Sequence, residues 1–192
     1  KPLPGVTAKL SEEEEILIKS NCLMQGYYKE EAKTAEMFTE DGFLRTGDIG
    51  EFDHDGYLRI TGRVKDQFKT DKGKYISPAP IELEMLKNND IDQICIVGTG
   101  IPQPIALIVP SEIGKAKSKE AFDQSIAETI QGINPSLEKH EKLAKAVVMK
   151  EEWSVDNGLM TPTLKVKRNR VESIHSEMYP GWFEHKEVVV YE

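Results

Sequence analysis

The sequence predicts an α+β protein in two unequal parts, a β-rich stretch over residues 1–64 and a mixed helix-and-strand unit over residues 65–192. Three observations predict this. Up to Gly62 the chain reads as short strands broken by Gly and Pro, with one helical excursion. Beyond it, nearly continuous apolar runs alternate with stretches of 3.6-residue periodicity, the pattern of buried strands and amphipathic helices packed on one sheet. The charge balance shifts at the same place. Residues 1–61 carry seven Lys/Arg against thirteen Asp/Glu, and residues 62–192 carry eighteen against twenty.

In the first part, PLPGVTAKL opens with Pro and Gly and runs into a strand, and EEILIKS alternates as a second. A turn and a short helix over 30–39 follow, closed by Asp41-Gly42. FLRTGDIGEFDHDGYLRITG then reads as strands around two turns. Within it EFDHDGYLRI is a hairpin whose Asp55-Gly56 accepts positive φ. In the second part, SPAPIELEMLKN starts a helix, with Ser77 as N-cap and Pro78 in the first turn. QICIVG and IALIVP are buried strands joined by the TGIPQP turn. SKEAFDQSIAETIQGI is an amphipathic helix with Phe122, Ile126, Thr129, Ile130 and Ile133 on one face. KAVVMK is another strand. VESIHSEMY places Val171, Ile174, Met178 and Tyr179 on one helical face, ended by Pro180-Gly181. EHKEVVVYE is a strand with no partner legible in the sequence.

The composition narrows the function classes. With 39% hydrophobic and 30% charged residues the chain has material for a core. No run reaches the roughly 18 apolar residues of a membrane span. KPLPGVTAKL lacks the apolar core of a signal peptide. Cys22 and Cys95 are far apart in apolar contexts and read as buried thiols of a reducing compartment. This points to a cytoplasmic protein, with peripheral contact at the inner face of a membrane left open. A formal net charge of −8 argues against general nucleic-acid binding. Yet residues 63–74 carry a net +3 and residues 165–170, KVKRNR, a net +4. Two basic islands on an acidic chain suit a local anionic ligand, or else a solvated face.

Asp48, in RTGDIG, sits where a Gly-bounded turn can aim a carboxylate at vicinal hydroxyls; the alternative is a turn-stabilising Asp bonding its own backbone. Arg63 follows a strand and a glycine and can reach a sugar or phosphate. Gly73, between lysines, allows close approach of a ligand to backbone. Lys165 follows an extended Pro-containing stretch and can stand as a point charge on developing negative charge. A basic helix start is electrostatically unfavourable, which favours a functional reading. No GxxxxGK[ST] or GxGxxG motif is present. His54, His140, His175 and His185 are scattered without metal-ligand spacing, so no metal site is expected in this chain. There is no nucleophile elbow. Trp153, Trp182 and Phe183 read as core or edge aromatics.

Taken together, PLPG at 2–5, GYYKEEAKTAEMFTEDGFLRTGDIGEFDHDGYLRITGRVKDQFKTDKGKYISPAPIE at 26–82 and NGLMTPTLKVKR at 157–168 resemble the C-terminal part of adenylate-forming (AMP-dependent synthetase/ligase) enzymes. The branch resembled is that of the long-chain fatty acid–CoA ligases. The resemblance implies the end of a large N-terminal domain, a β-barrel-like subdomain, over 1–64, and a small mobile C-terminal lid over 65–192. It implies that Asp48 and Arg63 hold the ATP ribose and that Lys65 is the hinge. Lys69 and Gly73 would serve the thioester step along the CoA path, and Lys165 would act in adenylation. The implied substrates are a fatty acid, ATP with Mg2+, and CoA, with the metal held mainly by the large domain. The sequence departs from many relatives at Leu164, where they have Gly, and at Lys65, where other branches have Asp. The phosphate loop and acyl pocket of the large domain are not in this sequence, so the chain reads as a fragment, inactive alone. A non-catalytic module binding CoA or a partner is the alternative.

Overall fold

Alternation of apolar and polar residues sets the first strands. β1 (Val6–Leu10) and β2 (Glu15–Ser20) pair antiparallel, with Leu10 opposite Ile16. The computed structural model describes residues 1–192, which divide into two compact units, Lys1–Asp66 and Gln67–Glu192. In the first unit α1 (Glu31–Glu36) is shorter than the 30–39 helix expected from sequence. It buries no residue and its start has no side-chain cap, so little holds it. Residues just beyond it are drawn to the sheet instead: Phe38 bridges Leu44, and Arg45 N–H donates to the Met37 carbonyl. β3 (Leu44–Phe52) and β4 (Leu58–Arg63) complete an antiparallel sheet of order β1-β2-β3-β4. The β3–β4 connection is the Asp-Gly hairpin: Asp53 Oδ1 accepts from the N–H groups of Asp55 and Tyr57, and Gly56 takes φ +77°. The second turn expected around Gly47 is not a turn, because that residue lies inside β3. The buried apolar side chains of this unit are Ile16, Leu17 and Ile49.

A single-turn 3-10 helix, Val64–Asp66, ends the first unit. The second begins with a small hairpin of β5 (Phe68–Lys69) and β6 (Tyr75–Ile76). α2 (Pro78–Met85) follows, with Ser77 preceding it and Pro in its first turn. Ser77 makes no side-chain cap; its hydroxyl accepts from Gln67 instead. β7 (Ile91–Val97) and β8 (Ile105–Pro110) are antiparallel, then α3 (Glu112–Lys115) and α4 (Lys119–Ile133) lead to β9 (Lys145–Val148). After α5 (Arg168–His175) and α6 (Tyr179–Glu184), β10 (Val189–Tyr191) pairs parallel with β9, giving the last strand its partner and the sheet order β10-β9-β8-β7.

This sheet is covered on both faces, which is why its strands read as continuous apolar runs. Ile94, Ile96, Ile108 and Val148 pack with Ile81 and Met85 of α2 and with Phe122, Ile126 and Ile130 of α4. The alternate residues Cys95, Val97, Leu107 and Val147 pack with Val171, Tyr179, Trp182 and Trp153. Beside the first cluster, Asp90 is buried. Desolvation pushes its carboxyl up, but hydrogen bonds from Lys117 and Ser125 outweigh that and hold it below the usual carboxylate range.

Three expectations are corrected here. The buried face of the last helices is Val171, His175, Tyr179 and Trp182, whereas Ile174 and Met178 are exposed. Pro180-Gly181 does not end the helix, because Pro180 lies in the first turn of α6, where no backbone donor is needed. Cys95 is buried as expected, but Cys22 is exposed, in a turn beyond the end of β2. No helix is long and apolar enough to cross a membrane.

Candidate functional site

The candidate residues fall in two groups, one in each unit. In the first unit, β3 and β4 place Asp48 directly opposite Arg63. Arg63 Nε donates to Asp48 Oδ1 at 2.7 Å, with the carboxylate 26% and the guanidinium 64% exposed. Oδ2 of Asp48 and the terminal nitrogens of Arg63 are left for a ligand. A carboxylate oxygen beside guanidinium donors can accept from a hydroxyl while the arginine donates to an oxygen of the same group. Gly47, immediately before Asp48, has φ +72° inside the strand. Residues 46–48 oppose Ile16 alone, since Glu15 pairs with Ile49 and Leu17 with Arg45. The irregular segment is held from the side. Thr46 Oγ1 donates to the Ile16 carbonyl at 2.8 Å and accepts from Asp48 N–H at 3.1 Å. Buried Glu15 accepts from Gly47 N–H and from Arg45 Nη1, each at 3.0 Å. Glu15 escaped the sequence reading, although its spacing from Leu17 puts both on one face of β2.

Lys65 is exposed in the 3-10 turn, one residue from the division between the units. In the second unit Lys69 and Gly73 share the β5–β6 hairpin. Lys69 lies opposite Tyr75, its ammonium 4.5 Å from the ring centroid. Gly73 is at the exposed tip with φ +72° and open space where a side chain would begin. The tip is closed by bonds between Thr70 and Lys74 and by Gly73 N–H to the Thr70 carbonyl at 3.0 Å.

Lys165 stands on a different loop. Met160 bridges Val166, and Lys167 N–H donates to the Leu159 carbonyl at 2.8 Å, so the loop base is pinned by side chains of the second apolar cluster. At its tip Leu164 N–H donates to the Thr161 carbonyl at 2.8 Å, and Lys165 N–H to Thr161 Oγ1 at 3.0 Å. Leu164 has φ +58°. Leu164, where the sequence departs from the pattern it resembles, thus takes the left-handed backbone that suits glycine. Lys165 itself is exposed.

The basic island around Lys165 divides in function. Arg168, three residues on, turns into the fold: Nη2 meets Glu82 Oε1 at 2.5 Å and Nη1 bonds the Ile96 carbonyl. Glu82 Oε1 also accepts from Ile96 N–H at 2.8 Å. The side chains are 14% and 17% exposed, and the pair ties α2, β7 and α5 together. Nearby, burial pushes the Tyr179 hydroxyl well above the usual phenol range. Arg168 therefore serves the fold, whereas Lys165 stands exposed on its loop.

The carboxylate among the candidate residues, Asp48, is already engaged by Arg63, and no three His, Cys, Asp or Glu side chains are grouped to hold a metal. These residues do not fit a Mg2+ site, and no step is assigned through one.

Residues 65–178 match the family described as AMP-binding enzyme C-terminal domain. Among relatives, the long-chain-fatty-acid–CoA ligase FadD15 of Mycobacterium tuberculosis is 30% identical over 188 residues, covering 89% of this chain and 31% of that one. Long-chain-fatty-acid–CoA ligase 5 of Rattus norvegicus is 35% identical over 179 residues, covering 83% of this chain and 26% of that one. The chain thus spans about a third or less of the length of these relatives. In fold it is similar to the adenylation domain of a carboxylate reductase from Mycobacterium chelonae, with a TM-score of 0.76 at 23% identity over 94% of this chain and 31% of that one. It is likewise similar to ATP-bound MatB from Rhodopseudomonas palustris, with a TM-score of 0.67 at 24% identity over 92% of this chain and 35% of that one. With more than half of its residues matched to that C-terminal domain, the chain belongs to the AMP-binding, adenylate-forming enzyme family.

Proposed function

We propose that this chain is the C-terminal portion of an ATP-dependent long-chain fatty acid–CoA ligase. A fatty carboxylate oxygen attacks the α-phosphorus of ATP, pyrophosphate leaves, and the CoA thiolate then attacks the acyl carbonyl and expels AMP. Residues 1–64 close the large domain and residues 65–192 form the lid that turns about Lys65. Asp48 accepts from the ribose hydroxyls while Arg63 donates to the same sugar. Lys165 neutralises charge developing at the α-phosphorus during adenylation. In the thioester step the Lys69–Gly73 hairpin replaces it, with the bare backbone of Gly73 beside the CoA arm.

The observation that carries this reading is Lys165, exposed on a built loop while neighbouring Arg168 is absorbed by the fold. The test is Lys165→Ala in the complete polypeptide to which the chain belongs. Loss of a preorganised charge should slow adenylation by about 3–4 kcal/mol in the barrier, a factor of roughly 10²–10³. Thioester formation from supplied acyl-adenylate should be spared. Equal loss in both half-reactions overturns the assignment. The 192-residue chain alone, with no phosphate-loop motif of its own, should show no fatty-acid-dependent ATP–pyrophosphate exchange.

A further inference from the structure

We propose that Glu15 is a positioning residue for Asp48, acting through the backbone of Gly47. The inference rests on the reading of Asp48 as the nucleotide-binding carboxylate. Glu15 is 7% exposed, on a strand whose partner is out of regular register at this point. Ile16 faces three residues of β3, and its carbonyl is already taken by Thr46 Oγ1. The Gly47 N–H therefore takes its bond from a side chain, Glu15 Oε1 at 3.0 Å. That bond fixes the left-handed residue whose next neighbour is Asp48. The segment is braced from the other side by Asp48 N–H to Thr46 Oγ1, at 3.1 Å.

The competing role is an ordinary ion pair with Arg45, whose side chain is 46% exposed. That pair is part-buried, so its loss should show in the melting temperature, whereas a carboxylate bond to a backbone donor in the bulge sets the geometry next to Asp48. The two roles make opposite demands on substitution. A glutamine keeps an oxygen for Gly47 N–H but loses the charge facing Arg45.

The test measures ATP–pyrophosphate exchange in the complete polypeptide, with KM for ATP and for fatty acid taken separately and melting temperature recorded. Glu15→Leu should raise the ATP KM about tenfold and leave the fatty-acid KM unchanged, as expected for the loss of one charge-assisted bond. Glu15→Asp withdraws the carboxylate by one methylene and should raise the ATP KM less; it carries the test if Glu15→Leu does not fold. Glu15→Gln and Arg45→Met should both stay within about twofold of the parent. Parent-like ATP KM in folded Glu15→Leu or Glu15→Asp overturns the proposal. So does a Glu15→Gln or Arg45→Met defect as large as that of Glu15→Leu. Asp48→Ala, measured in parallel, separates the two levels. If it leaves the ATP KM unchanged, the nucleotide reading of Asp48 falls and takes this proposal with it. If it raises the ATP KM while the Glu15 variants do not, the positioning role alone falls.

Discussion

Asp48 and Lys165 each follow a residue with left-handed backbone, Gly47 at φ +72° and Leu164 at φ +58°, but the two are held in different ways. Asp48 belongs to a strand; its position comes from register with Arg63 and from a side-chain brace beneath it. Lys165 belongs to a loop; its position comes from local bonds to Thr161 and from apolar residues at the loop base. Gly47 enters the left-handed region without steric cost, whereas Leu164 carries a penalty of roughly 1–2 kcal/mol there. The contrast suits the proposed roles. A group that grips the nucleotide through both half-reactions gains from a rigid sheet, and a group used in one of them can stand on a loop.

The comparison breaks most readily at the support of the Lys165 loop. Arg168→Met removes one partner of a largely buried ion pair and leaves Glu82 without it, at a cost of about 2–3 kcal/mol. Thermal unfolding should show a drop of several degrees; an unchanged melting temperature would mean the pair contributes nothing. Gly47→Ala comes next. A Cβ there meets no atom within 4 Å, so the cost is conformational, about 1–2 kcal/mol. Its distinguishing sign is an ATP KM that rises more than the fatty-acid KM. Smallest is Leu164→Gly, a predicted gain. The side chain is 70% exposed, so little burial is lost. Relief of the left-handed penalty, less the added freedom of glycine in the unfolded chain, leaves a net gain below about 1 kcal/mol. A lower melting temperature would show that Leu164 is held by something other than local geometry.

Much of the second unit was legible because its strands are buried on both faces and announce themselves as apolar runs. The helix at 119–133 was legible because the residues it buries, Phe122, Ile126, Ile130 and Ile133, are all apolar and recur at helical spacing. The last helices misled because His175, a polar residue, takes the buried place that Ile174 seemed to claim. Its ring lies 5.9 Å from that of Trp182 and its Nδ1 is 3.5 Å from Glu192. Asp48 and Arg63 were legible as residue types, but TGD reads as a turn in one dimension and becomes a bulged strand only once β2 pairs beside it. The partner of Glu15 is 32 residues away and that of Arg168 is 86 away. No local pattern reports such distances, so the brace under Gly47 and the structural share of the basic island came into view only with the fold.

The contrast between the two cysteines has a practical consequence. Cys95 has no exposed surface, while Cys22 is open in a turn of the first unit. Of these two thiols, a thiol-directed fluorophore should therefore settle on Cys22. A second dye on an introduced Ser173→Cys, exposed on α5 of the other unit, would form a donor–acceptor pair spanning Lys65. Energy transfer between them would then test the proposed turning of the second unit about Lys65: an efficiency that never changes on adding ATP, fatty acid or CoA to the complete polypeptide would count against it.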